Sequence, residues 1–313
     1  MPNAFVTIVI PAKNAQSSMN KCLDSVLKLD YSPYEVIVIN DGSTDNTAGI
    51  LDAYPGIKVI NTSGVGPAKA RNTAVKQARG EFIAFTDADC YADKDWLTEL
   101  IAGFTAADIA SVGGCQRPAV DEGLFGKQVF RFMLKSGLLT DYGRSCSGNT
   151  ARVSHNPSCN SMYRKEIFLQ AGGFLEGLWP GEDVELDRRL SGKGFLMVFN
   201  PRAVVYHYRV RDRRAFLRMM DRYGWAQAIL VKKHGFFRRI QLAPLITLPV
   251  LIFWLGLLFF KPLLSAGAAL LSVGLAWAWF YFDFSLTVLA FQGIIAWHWG
   301  YIKGIFDNRC LKA

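Results

Sequence analysis

The chain has six cysteines (Cys22, Cys90, Cys115, Cys146, Cys159, Cys310) but no C-x-x-C pair. Without that spacing no zinc site is suggested, and the thiols are expected to be reduced, as in a cytosolic domain. No G-x-G-x-x-G follows the first apolar segment, which argues against a dinucleotide oxidoreductase. No G-x-x-x-x-G-K-[ST] is present, which excludes a P-loop NTPase. The opening MPNAFVTIVIPAKN carries an apolar run too short for a signal peptide. Charge is scarce in one place: between residues 242 and 301 the only Lys, Arg, Asp, Glu or His are Lys261, Asp283 and His298.

That tail holds three uncharged apolar runs, 242–260, 263–282 and 284–301. A run of 19 residues makes a helix of about 28 Å, close to the thickness of a bilayer core. The third run also carries Gln292, Trp297, His298 and Trp299, so it either spans or lies in the interface. The sequence therefore predicts a helical hairpin, with the third run returning to or lying along the cytoplasmic face. Residues 202–239 hold eleven Lys/Arg against two Asp, as large as the chain's entire net charge of +9. Placed directly before the first apolar run, this excess predicts an inner or plasma membrane protein with residues 1–239 in the cytoplasm. Membrane lipids are expected partners, since a basic segment is drawn to anionic headgroups. Nucleic acid is not, because binding it would leave the apolar tail unexplained. Three regions follow: 1–210, a basic juxtamembrane helical segment at 211–241, and a membrane region at 242–313 with two or three hydrophobic helices.

The first region alternates strand and helix patterns. Strands are expected at 5–10, 35–39, 57–60 and 81–85, with helices at 16–27, 47–54 and 67–78. Such alternation predicts an α/β fold with a mostly parallel sheet and helices on both faces. Ligands bind such sheets beyond the carboxyl ends of the strands. Those ends read Pro11-Ala12-Lys13-Asn14, then Asn40-Asp41-Gly42-Ser43-Thr44-Asp45, then Gly64-Val65-Gly66 with Lys69, Arg71 and Asn72 beyond, then Thr86-Asp87-Ala88-Asp89. In extended chain Asp87 and Asp89 point to the same side. Two carboxylates so close need a cation, a proton or a hydrogen-bond donor between them, and oxygen ligands suit Mg²⁺ or Mn²⁺. A loop in which Asp89 or Asp93 merely caps the following helix is the alternative.

With these loops assembled, the chain resembles glycosyltransferase family 2, inverting nucleotide-sugar enzymes of GT-A fold. The matching segments are VTIVIPAKN, EVIVINDGSTDNT, GPAKARNTAVKQARGEFIAFTDAD, CNSMYRKEIFLQAGGF and GEDVELDRRLSGKGF. The Q-x-x-R-W of the processive synthases is absent, and Arg222-Tyr223-Gly224-Trp225 looks like the R-Y-G segment of non-processive members with a membrane tail. The resemblance implies that Pro11, Ala12 and Asn14 line the nucleoside, that Asp41 accepts a hydrogen bond from the base, and that Arg71 sits near base or phosphate. It places Asp87 on the ribose or sugar side and Asp89 on the divalent metal, Mg²⁺ or Mn²⁺, with Asp87 and His207 as further candidate ligands. The GED segment supplies the base: Asp183 is the candidate, with Glu182 as acceptor contact or substitute. The same acids could simply load the first turn of a helix at 182–191. Trp179 and Asn160 are candidate acceptor contacts.

The expected activity is transfer of a sugar from a UDP-sugar or similar donor to a lipid-linked or membrane-proximal glycan acceptor. One alternative is a polyprenyl-phosphate glycosyl synthase, whose phosphate acceptor needs no strong base. A non-catalytic membrane scaffold that keeps the fold is another.

Overall fold

The computed structural model describes residues 4–136, 146, 148–279 and 283–308. In chain order its elements are β1 (Val6–Ala12), α1 (Met19–Val26), β2 (Tyr34–Asp41), α2 (Thr47–Asp52), β3 (Lys58–Thr62), α3 (Pro67–Gln77), β4 (Phe82–Thr86), β5 (Cys90–Ala92), α4 (Trp96–Ala102), β6 (Ile109–Pro118) and α5 (Leu124–Lys135). Then come β7 (Ala151–Val153), β8 (Asn160–Arg164), α6 (Lys165–Gln170), α7 (Glu182–Gly192), β9 (Leu196–His207), α8 (Arg213–His234), α9 (Ala243–Phe260), α10 (Pro262–Trp279) and α11 (Phe284–Phe306). They fall into two compact units, Met1–Gly126 with Gly137–Arg209, and Lys127–Ser136 with Val210–Arg309.

The first unit is built on one sheet, in the order β3-β2-β1-β4-β8-β6-β9-β5, with β7 paired to β9. The four strands read from the sequence form its parallel half, β1 lying between β2 and β4 and β3 flanking β2. Alternation splits their side chains between two cores. Val6, Ile8 and Ile10 pack on one face with Met19, Leu23 and Val26 of α1 and with Trp96. Val9, Ile37 and Phe85 pack on the other with Ala70 and Ala74 of α3 and with Phe168, Phe174 and Leu186. Beyond β4 the sheet turns antiparallel, β8 pairing with both β4 and β6. The bent strand β9 runs parallel to β6 through a register shift at Gly114/Cys115, and its end pairs with β5, Cys90 opposite His207. This returning strand carries His207 back to the turn that holds Asp87 and Asp89. Cys115 and Cys146 are joined by a disulfide, with Cα atoms 5.3 Å apart, against the expectation of reduced thiols throughout. That spacing lies within the range a disulfide spans.

The second unit is helical. Its α8 and α11 run side by side in the same direction, and glycines set their closeness. A Cβ at Gly224 would collide with the Trp297 carbonyl, and one at Gly300 with the Asp221 carbonyl. Lys303 pairs with Asp221 at 2.5 Å, and Trp225 Nε1 donates to Asp307 at 2.8 Å. The R-Y-G segment thus has a packing role here through Gly224. His298, on the third apolar run, meets Thr247 Oγ1 of α9 at 2.6 Å. The sequence predicts membrane-crossing helices in this unit. Among the described residues no helix is long and apolar enough to cross a membrane. α9 and α10 have 18 residues each, about 27 Å of helix. The longer α11 contains Gln292, His298 and Lys303.

Candidate active site

Everything that holds the site together starts at the carboxyl edge of the parallel strands. Asn14, past the end of β1, adopts a left-handed φ of 52° and ties its loop to the next one. Its Oδ1 accepts from Thr44 N at 2.7 Å and its N–H donates to Ser43 Oγ at 3.0 Å. Pro11 and Ala12 precede it at the same edge, Ala12 buried. At the end of β2, Asp41 is buried and accepts from Thr62 Oγ1 (2.6 Å), Val65 N (2.7 Å) and Gly66 N (2.8 Å). Burial alone would raise its pKa, but these donors override it and hold the carboxyl below the usual range. Asp41 therefore shapes the turn that opens α3, a job the sequence reading did not assign to it.

Arg71, on α3, is the hub. Its side chain and that of Glu182 are each only 2% exposed, and Nη1 donates to Glu182 Oε1 at 2.8 Å. Nη2 donates to Asp87 Oδ1 at 2.5 Å. Burial opposes this charge, yet the two carboxylates more than compensate and raise the Arg71 pKa. Next to Arg71, Asn72 grips the approach to α7, donating to the Phe174 carbonyl at 2.8 Å and accepting from Phe174 N at 2.9 Å.

Helix α7 begins with four acids in six residues, and the structure sorts them. Glu182 lies on Arg71; burial and the Asp183 carboxylate push its pKa up, with Arg71 pulling against them. Glu185 is buried against Arg189 at 2.7 Å. Asp187 is buried, accepting from Asn156 N and the Tyr163 hydroxyl. Asp183 is the one that is only half-buried, accepting from Ser158 N at 2.9 Å and Val184 N at 2.7 Å. Of the two GED acids, Asp183 is thus the more accessible, and Glu182 is buried against Arg71.

Asp89 follows a different partner from Asp87. Its half-exposed side chain (51%) lies with Oδ1 3.3 Å from His207 Nε2. Burial and the Arg209 guanidinium depress the imidazolium, but Asp89, with Cys159, outweighs both and brings the His207 pKa up to about 10. The other ring nitrogen, Nδ1, faces Gln116 Oε1 at 3.5 Å, and that oxygen also accepts from Arg209 Nη2 at 2.9 Å. The exposed Asp89 carboxylate is the donor type that suits Mg²⁺ or Mn²⁺, and His207 could join it only with its ring deprotonated. Asp87, the other expected ligand, is drawn toward Arg71.

Two acceptor-side expectations diverge. Trp179 is 43% exposed in the loop before α7, where a ligand can reach it. Asn160 is fully buried: its amide donates to the Cys115 and Ala203 carbonyls at 2.9 and 3.0 Å and accepts from Trp96 Nε1 at 2.8 Å. Every polar atom of that side chain is engaged by protein, so Asn160 is corrected from acceptor contact to structural tie. The sequence reading also missed Gln116 and Arg209, which orient His207. A polar residue at alternating position in β6 was the only local signal for Gln116.

Residues 7–171 match the family described as Glycosyl transferase family 2. Glycosyltransferase AglE of Haloferax volcanii is 27% identical over 202 residues, covering 62% of this chain and 64% of its own. The pre-mycofactocin glycosyltransferase of Mycobacterium tuberculosis is 30% identical over 234 residues, covering 73% of this chain and 48% of its own. The chain thus spans between about half and two thirds of the length of these relatives. Among solved structures, the mannosyltransferase PcManGT from Pyrobaculum calidifontis, in complex with GDP-Man and Mn²⁺, superposes with a TM-score of 0.70 at 18% identity, covering 98% of this chain and 88% of its own. At that identity the likeness bears on the fold alone. With a family match over more than half its length, the chain belongs to glycosyl transferase family 2.

Proposed function

We propose that the protein transfers a sugar from a nucleoside-diphosphate sugar to a hydroxyl of a lipid-linked or membrane-proximal acceptor, inverting the anomeric centre. The observation that carries this reading is the sorting of the acids: Asp183 only half-buried at the start of α7, with Asp87 and Glu182 tied through Arg71. Asp183 takes the proton of the acceptor hydroxyl as it attacks. Two N–H donors hold its carboxylate, which sets the direction from which it can accept that proton. Arg71 keeps Asp87 and Asp183's neighbour Glu182 at constant separation, so the donor and acceptor sides keep register.

A divalent cation, Mg²⁺ or Mn²⁺, would be held by Asp89 and His207 and would offset the charge growing on the departing diphosphate. The Asn14 and Asp41 loops would receive the nucleoside. A UDP-sugar is the donor the sequence favours; the mannosyltransferase of similar fold was crystallised with GDP-Man. Placement at a cytoplasmic membrane face, with α9 and α10 embedded, is part of the same proposal. Its support is the basic segment before α9 together with exposed apolar side chains such as Ile246, Phe253 and Phe260 on α9 and Leu270 on α10. The seating of α11 along basic α8 supports a third run that stays on that face.

A screen of UDP- and GDP-sugars with a Mn²⁺ titration, reading released nucleoside diphosphate with membrane extract as acceptor, tests this reading. Cation-dependent turnover of one donor is expected. Donor binding with no turnover under any condition would favour the scaffold instead.

A further inference from the structure

Beside the Asp89–His207 pair lie two thiols that the transfer reaction does not use. Cys90 Sγ, Cys159 Sγ and a His207 ring nitrogen all lie within 4.8 Å of one another. Asp89 Oδ1 adjoins the same cluster, 3.9 Å from Cys90 Sγ and 3.3 Å from His207 Nε2. Both thiols are buried. Three different elements bring them together: Cys90 opens β5, Cys159 precedes β8, and His207 ends β9 opposite Cys90.

We propose that Cys90, Cys159, His207 and Asp89 form a site for a thiophilic divalent ion of the zinc class, and that filling it excludes the hard cation from Asp89 and His207. Two sulfurs, one imidazole and one carboxylate are a donor set that favours zinc over magnesium or manganese. Tetrahedral bonds of about 2.3 Å to sulfur and 2.0–2.1 Å to nitrogen place ligand atoms about 3.3–3.8 Å apart. Cys90, Cys159 and His207, mutually within 4.8 Å, would close on the ion by side-chain rotation, with Asp89 Oδ1 3.3 Å from His207 as the fourth donor. Nδ1 faces Gln116 Oε1 at 3.5 Å, the place of an outer-shell partner, which leaves Nε2 for a metal. His207 Nε2 has one lone pair and cannot ligate two ions at once, so zinc bound there would act as an inhibitor. The exclusion half of this proposal rests on the proposed function; the binding half does not.

Cadmium serves as the probe, since its thiolate complexes absorb in the ultraviolet. Full-length protein, reduced beforehand, is titrated with Cd²⁺ as wild type, Cys90→Ser and Cys159→Ser. A charge-transfer band saturating at one equivalent in the wild type and lost in both variants is expected. In the unmutated protein, Zn²⁺ should shield Cys90 and Cys159 from alkylation, read peptide by peptide, which requires no variant to fold. No band in the wild type overturns the site. A band surviving in both variants assigns the ion to other thiols and overturns it too. Exclusion is read by electron paramagnetic resonance: Zn²⁺ should release bound Mn²⁺ from wild type and require at least about 10–100-fold more to do so in Cys159→Ser. Simultaneous binding of both ions overturns the exclusion. Failure of the wild type to bind Mn²⁺ at all would instead contradict the proposed function, leaving the cadmium result to stand alone.

Discussion

Arg71 Nη1 lies 2.8 Å from Glu182 Oε1, across 111 residues of chain. Through its other nitrogen the same guanidinium reaches Asp87. One buried cation therefore joins the acidic turn after β4 to the acidic start of α7, the two places where the sequence put donor and base chemistry.

Removing that cation should be expensive. Arg71→Met leaves Glu182 and Asp87 without their partner, and breaking a buried pair from one side costs about 3–5 kcal/mol. Adding Glu182→Gln to Arg71→Met should recover part of the loss by removing the stranded charge. Thermal unfolding of both variants checks this. Equal losses in the single and double variants would show that Glu182 does not depend on Arg71.

Asn160→Ala should behave as a stability variant. It strands the Trp96 indole N–H and two carbonyls, at about 1–3 kcal/mol for each group left unsatisfied. Below its melting temperature the variant should keep the wild-type KM for acceptor. A raised acceptor KM with unchanged stability would restore Asn160 to the acceptor side.

Asp41 predicts the direction of a pH effect. Despite burial, hydrogen bonds from Thr62, Val65 and Gly66 hold its folded pKa below the unfolded value of about 3.9. Its contribution to stability is therefore complete above about pH 4 and is lost as pH falls through the folded pKa. Asp41→Asn should be less stable than wild type at neutral pH, and the gap should narrow on acidification below pH ~4. Unfolding curves across that window measure it, and a gap that widens toward acid would contradict the assignment.

The glycine seam between α8 and α11 predicts that Gly300→Leu separates the helices, because its Cβ has the Asp221 carbonyl where it would sit. Overpacking of this kind costs about 1–3 kcal/mol or more. Gly256→Leu, with nothing within 4 Å of its added Cβ, should be near neutral. Paired melting curves compare the two.

What could be read from sequence was local. The loops after β1 to β4 declare themselves because each strand is a short apolar run ending in polar residues, and parallel topology follows from the alternation. The strands predicted at 5–10, 35–39, 57–60 and 81–85 lie within or overlap β1 to β4. Other features depend on which distant segments meet. The Arg71–Glu182 pair, the return of His207 beside Cys90, and the burial of Asn160 all need β8 and β9 in place, and no spacing along the chain encodes that. The Cys115–Cys146 bond joins residues 31 apart without a recognisable spacing. The stretch 113–160 contains α5 and most of β6, and part of it, 137–145 and 147, lies outside the described residues.

The central claim is that Asp183 is the base of a cation-assisted glycosyl transfer. It is tested most directly by single-turnover transfer with Asp183→Asn, alongside Mn²⁺-dependent donor binding by the same protein. Donor affinity within a few-fold of wild type, with the transfer step slowed by about 10²–10⁴, is the predicted result. An unchanged transfer rate would contradict it and point to a phosphate acceptor that needs no base.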